Sequence, residues 1–130
     1  MMKHRLNGEE WWCLPGGGVE PMETPAEAAL RELEEECHVN GQIVRQMGRA
    51  TDADGNETIT FLMDIGDQEP GMGNDPEFAS EAQILADMRW LSLAEIPERD
   101  RAYLWAAGLM SLPVFLDEVS QWGDALSYPG

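Results

Sequence analysis

Basic residues are scarce in this sequence. Eight Lys and Arg stand against 25 Asp and Glu, a formal net charge of −17 at pH 7. Nucleic-acid polymers and anionic membrane surfaces are held through clustered Lys and Arg, so the balance argues against both as partners. A small polyphosphate stays compatible if a divalent cation neutralises both sides, and carboxylate in excess is what a Mg²⁺ or Mn²⁺ site needs. Cysteine is scarce too. Cys13 and Cys37 have no zinc-like spacing, so they read as reduced, buried thiols of a cytoplasmic protein. No apolar run approaches the roughly 20 residues of a membrane span. The opening MMKHRLNGEE has no apolar stretch after its charges, so it does not read as a signal peptide. Internal repeats and low-complexity segments are absent.

What is present fits one domain over residues 1–130. Hydrophobic residues make up 43% and charged residues 25%, an ordinary globular balance. Met1 to Arg5 reads as the end of a strand, Asn7-Gly8 as a tight hairpin turn, and Trp11 to Leu14 as a second strand stopped by Pro15 and three glycines. A helix is expected from Pro25 to Glu36 or Cys37, with Pro25 in its first turn and Thr24 and Glu27 forming a capping box. Ile43–Ala50 and Glu57–Ile65 read as antiparallel strands around the turn Asp52–Asn56. Gly66–Pro76, rich in glycine, proline and acids, reads as a long exposed loop. Asp87–Leu91 reads as a short strand containing Trp90, and Leu93–Ile96 as a turn capped by Ser92. A helical segment is expected over about 100–122, with Arg101–Leu112 helix-prone and Val114–Trp122 extending or following it, then a loose tail, 123–130. The fold class expected from this order is α/β (α+β).

The expected helix carries Glu32, Glu35 and Glu36 at i, i+3 and i+4, which puts three carboxylates on one face. Ala26, Leu30, Leu33 and Cys37 cluster on another face, expected to be the buried one. Crowded like charges destabilise an isolated helix by tenths of a kcal/mol per pair, and a divalent cation would remove that cost. Just before the helix, Pro15-Gly16-Gly17-Gly18 makes a turn that a phosphate can approach without meeting a Cβ.

Gly17, Glu23 and then Arg31-Glu32-Leu33-x-Glu35-Glu36-x-x-Val39 fall at the spacing Gly-x5-Glu-x7-Arg-Glu-U-x-Glu-Glu-x-Gly-U, with U aliphatic. This resembles the signature box of the Nudix hydrolases, with every charged position matched. Trp12-x-Leu14-Pro15-Gly16-Gly17 before the box, and Arg89-Trp90-Leu91 with Leu93-x-x-Glu95-Ile96 after it, extend the resemblance from about Trp11 to Pro97. Two glycines of the usual pattern are replaced, by Met22 and by His38. Neither position supplies a metal ligand, so altered loop geometry is expected there. His tolerates positive φ better than most residues.

The resemblance implies an α/β/α sandwich with a mixed sheet, lacking the family's usual first N-terminal strand. The uncovered edge that this leaves favours a homodimer. It implies hydrolysis of a phosphoanhydride bond in a nucleoside diphosphate linked to another group, with Mg²⁺ or Mn²⁺ held by Glu32, Glu35, Glu36 and the Gly16 carbonyl. Glu23 and Arg31 would form a structural salt bridge. Glu35, Glu32 or the loop acid Glu81 would be the general base. Lys3 and Arg5 would contact the substrate's phosphates, and Trp12 or Trp11 would stack on its base. The alternative is a Nudix-fold nucleotide-binding or regulatory module without turnover. Neither the proline nor the tyrosine that helps assign substrate in some branches of the family stands in Asp54–Thr58, so the substrate stays open.

Overall fold

The computed structural model describes residues 1–73 and 84–122. Glu81 therefore lies outside the described residues. The elements are β1 (Met2–Leu6), β2 (Glu9–Cys13), α1 (Pro25–Cys37), β3 (Gln42–Thr51), β4 (Glu57–Asp64), β5 (Ile84–Met88), α2 (Glu98–Ala106) and α3 (Pro113–Ser120). This is the mixed α and β content that the sequence predicts. Two compact units divide the chain. One gathers Met1–Arg45 with Phe61–Trp90, and the other gathers Gln46–Thr60 with the chain from Leu91 onward.

In the first unit β1 pairs antiparallel with both β2 and β5. The turn between β1 and β2 is Asn7-Gly8, both at positive φ (52° and 85°), the conformation that lets a two-residue turn follow the strand twist. The apolar centre is formed by Met2, Cys37 and Val39, with Cys13, Leu33, Ile65, Leu85 and Met88 packed on it. Met2 is wholly buried. Removing a side chain of that size from water stabilises by about 1.5–3 kcal/mol. Burial also pushes the Cys37 thiol up to about 11, which keeps it neutral and suits it to a core position. The start of α1 is as the sequence predicts. The Thr24 hydroxyl accepts from Glu27 N–H at 3.2 Å, and the Glu27 carboxylate accepts from Thr24 N–H at 2.7 Å.

In the second unit, Asp52 closes the β3–β4 turn by accepting from the N–H groups of Asp54 and Asn56, each at 2.9 Å. Here the C-terminal helical segment is divided. α2 ends at Ala106, Gly108 turns at φ 89°, and α3 begins afresh at Pro113. The final strand also differs from expectation. β5 ends at Met88, and Trp90 lies beyond it, 77% exposed. The N-terminal amine of Met1 donates to Arg89 O at 2.8 Å and Arg89 N–H donates to Met1 O at 3.0 Å, so the sheet closes one residue before Trp90.

The buried stripe of α1 also differs from expectation. Its buried residues are Ala28, Glu32, Glu36 and Cys37, while Ala26, Leu30 and Leu33 are half-buried. Two of the carboxylates are thus deep in the structure. The cause is local: the glycine-rich loop lies on Glu32.

Candidate functional site

Gly17 shows how closely the loop approaches. A Cβ built there would overlap Glu32 Oε1 and lie 2.9 Å from Oε2. A side chain there would have to displace the Glu32 carboxylate, which the close approach leaves 1% exposed. The neighbouring Gly16 N–H donates to Glu36 Oε2 at 2.9 Å, and Glu36 has no exposed surface.

Arg31 ties the loop to the helix. Its Nε and Nη2 donate to Glu23 Oε1 and Oε2 at 2.8 and 3.0 Å, a two-point fork, and Nη2 also donates to the Gly18 carbonyl at 2.9 Å. Nη1 donates to Glu32 Oε1 at 2.8 Å and to Glu35 Oε2 at 3.2 Å. The guanidinium holds the Glu23 carboxyl below its usual range, and Glu23 in turn strengthens the protonated state of Arg31. Glu23 also accepts from Glu20 N–H at 2.9 Å, which closes the loop where Met22 stands fully exposed at φ 70°. His38 takes φ 55° and donates its N–H to Glu34 O, so it performs the left-handed cap that glycine commonly performs.

Hard carboxylate oxygens on one helix face suit Mg²⁺ or Mn²⁺ by chemistry. Glu32 Oε2 and Glu36 Oε1 are buried and accept no hydrogen bond among the described residues. Glu34, Glu35 and Glu36 stand at the negative end of the helix dipole, where no basic residue offsets them in the last turn. Both features fit a cation. Glu35 is the more accessible acid, 32% exposed. Arg31 pairs with Glu32 and Glu35, and the described residues hold no group of three or more His, Cys, Asp or Glu gathered to coordinate an ion.

The residues considered for substrate lie on the β1–β2 hairpin. Arg5 Nε donates to Glu10 Oε1 at 2.7 Å and Lys3 Nζ lies 3.4 Å from Glu10 Oε2. The two cations hold the Glu10 carboxyl below its usual range. Lys3 Nζ also sits 5.1 Å from the centre of the Trp12 ring, which is 9% exposed. Trp11, directly across from His4, stacks on it at 5.7 Å and 13°. Both indoles are therefore covered by cationic or aromatic neighbours, a pairing that the one-sided alternation of the strand does not reveal.

The profile of the NUDIX domain matches residues 1–112. The chain belongs to the Nudix family. Among curated Nudix relatives, it is 54% identical over 37 residues to diphosphoinositol polyphosphate phosphohydrolase 2 of Rattus norvegicus, covering 28% of this chain and 21% of that protein. It is 51% identical over 37 residues to diphosphoinositol polyphosphate phosphohydrolase 3-alpha of Homo sapiens, covering 28% of this chain and 23% of that one. The match thus spans about a fifth of the length of these relatives. No helix among the described residues is long and apolar enough to cross a membrane.

Proposed function

We propose that this Nudix chain hydrolyses a phosphoanhydride bond in a nucleoside diphosphate linked to another group, with Mg²⁺ or Mn²⁺ as cofactor. The observation that carries the reading is the pair Glu32 and Glu36: two carboxylates buried on one helix face beneath the glycine-rich loop. Burying carboxylates is costly even when they are paired, and two of them buried on one helix face suit a cation. Glu36, Glu32, Glu35 and the Gly16 carbonyl would hold it. A divalent ion bound there supplies charge neutralisation for the diphosphate and acidifies water.

The chain's own groups do the rest. The Glu23–Arg31 fork fixes the loop, so the backbone from Gly16 to Gly18 stays open to phosphate. Glu35 is the favoured general base over Glu32, because it is the acid that water can reach. Lys3, Arg5 and Trp12 would form a substrate edge, with Glu10 tempering its charge.

The relatives' names point to a diphosphate on a polyphosphorylated inositol. For this chain the charge balance favours a substrate with fewer phosphates. Of its eight bases, Lys3, Arg5, Arg31, Arg49, Arg89 and Arg99 are all in ion pairs with carboxylates. A homodimer in a cytoplasmic setting belongs to the same proposal. β2 and β5 flank the three-stranded sheet as edges among the described residues, and edges favour pairing. A clean monomer by sizing at micromolar concentration would remove the dimer.

A second reading, nucleotide binding without turnover, is favoured by one observation: Arg31 holds both Glu32 and Glu35. One assay separates the two. The protein is incubated with a panel of nucleotides and nucleotide sugars, with and without Mg²⁺ or Mn²⁺. Phosphate, pyrophosphate and nucleoside monophosphate are followed. Metal-dependent turnover that disappears in Glu36→Gln supports the enzyme. A folded protein that binds metal and nucleotide but turns over nothing supports the binding module. Unchanged metal affinity and activity in Glu36→Gln would overturn the site assignment.

A further inference from the structure

The last turn of α1 has a cap that the box itself does not supply. Helix ends leave carbonyls without intrahelical partners. His38 N–H satisfies Glu34 O at 2.9 Å, but the carbonyls of Glu36 and Cys37 lie beyond its reach. Two N–H groups from a distant loop reach them. Gly73 N–H donates to Glu36 O at 2.7 Å and Gly71 N–H donates to Cys37 O at 2.8 Å. The loop is tied at its approach as well. The Gln68 amide donates to Asn40 O and Ile65 O, each at 2.7 Å, and accepts from Asn40 N–H at 2.9 Å. Gln68 thus clasps the chain just past the helix, while Gly71 and Gly73 clasp the helix end.

Space at the two glycines differs sharply. A Cβ at Gly71 would meet nothing within 4 Å. A Cβ at Gly73 would overlap the Glu35 carbonyl oxygen, 2.8 Å from its carbon and 3.1 Å from the Glu36 carbonyl carbon. Those atoms are helix backbone and cannot swing aside as a side-chain tip can. They also belong to two of the residues that would hold the metal.

We infer that Gly73 is a positioning residue: its side-chain-free approach and its bond to Glu36 O set the backbone of Glu35 and Glu36, and through it their carboxylates. The inference rests on the metal reading of the site. Any side chain at position 73 pushes the strap off the helix end and loosens the turn that carries both acids. Outer partners of metal ligands are typically worth about 10- to 100-fold in metal affinity.

The test uses the full chain with Mn²⁺ as probe, followed by electron paramagnetic resonance. Gly73→Ala is expected to weaken Mn²⁺ binding about tenfold or more and to lower kcat more than it raises KM. Gly71→Ala keeps its N–H and adds a methyl to open space, so its Mn²⁺ affinity should match the parent. Equal Mn²⁺ affinity in the parent and Gly73→Ala would overturn the inference, as would equal losses in both variants. Should Gly73→Ala not fold, amide exchange on the unaltered protein decides. The Gly73 N–H is expected to be protected and to exchange more slowly when Mn²⁺ is saturating. An amide that exchanges at the same rate with and without bound Mn²⁺ overturns the coupling. A parent protein that binds no Mn²⁺ overturns the metal reading itself, whereas Gly73 protection without Mn²⁺ reads the cap separately.

Discussion

Glu36→Gln should make the metal-free protein more stable. Glu36 is wholly buried, at the C-terminal end of a helix, four residues from the buried Glu32. Taking such a carboxylate out of water costs several kcal/mol. The charged hydrogen bond from Gly16 returns about 1.5–3 kcal/mol. The helix dipole opposes the charge by a further ~0.3–1 kcal/mol, and the like charge one turn away by about 0.2–0.5 kcal/mol. Glutamine keeps the shape and an acceptor for Gly16 while removing the charge, so a gain of about 1–2 kcal/mol is expected in chelator. Mn²⁺ should reverse the order. At a hundred times its dissociation constant it stabilises the parent by about 2.7 kcal/mol and leaves the variant unmoved. Urea unfolding of both proteins, in chelator and in Mn²⁺, reads the four values. A variant less stable than the parent in chelator would refute the argument. So would equal Mn²⁺ stabilisation of both.

Other substitutions probe the surrounding parts. Arg31→Lys replaces a planar fork by a point charge that cannot engage both Glu23 oxygens and the Gly18 carbonyl. It should lower the melting temperature and weaken Mn²⁺ binding, seen by calorimetry; unchanged values would mean the fork does not hold the loop. Asp52 is held below its ordinary value of 3.8, first by the Asn56 side chain and then by backbone N–H groups. Its contribution is therefore present above about pH 4 and lost as pH falls through the lower folded value. The stability deficit of Asp52→Asn in urea should be full at pH 7 and shrink below pH 4; a deficit constant with pH would contradict this. For the substrate, kcat/KM on a sparsely phosphorylated diphosphate should rise or stay flat as ionic strength increases, because a chain of net charge −17 repels anions. A steep fall would reveal a basic pocket.

Local signals were legible where chemistry acts within a few residues. The Thr24–Glu27 capping box, the Asn7-Gly8 turn and the Asp52–Asn56 turn each depend on a short segment. The Arg31–Glu23 tie came instead from the resemblance of the box to the Nudix signature, and the two side chains pair in the structure. Burial on α1 was legible only in part: Cys37 and Leu33 join the core as expected, but the burial of Glu32 and Glu36 was not foreseen. Helical periodicity assigns the apolar face inward, and it cannot know that Gly17 lets backbone rest on Glu32. The end of β5 was misread because Trp90 looks like a strand residue, whereas pairing between Met1 and Arg89, 88 positions apart, decides where the ladder stops. A second helical piece after Leu112 was open in the sequence, and the split falls where Gly108 turns at φ 89° and Pro113 starts α3. Gly73 was invisible for the same reason as β5: its partner is distant in sequence.

Surface loops usually absorb insertions and deletions, and families diversify through them. The segment from Gln68 to Gly73 has no such freedom, because it is fastened at Asn40 and again at the end of α1. One residue more or fewer would carry the Gly73 N–H past Glu36 O. Length variation in kindred chains should therefore avoid this span even where its composition drifts. Grafts or affinity tags placed here would cost the helix end its partners, so engineered attachments belong elsewhere on the chain, for example at the exposed Asp52–Asn56 turn.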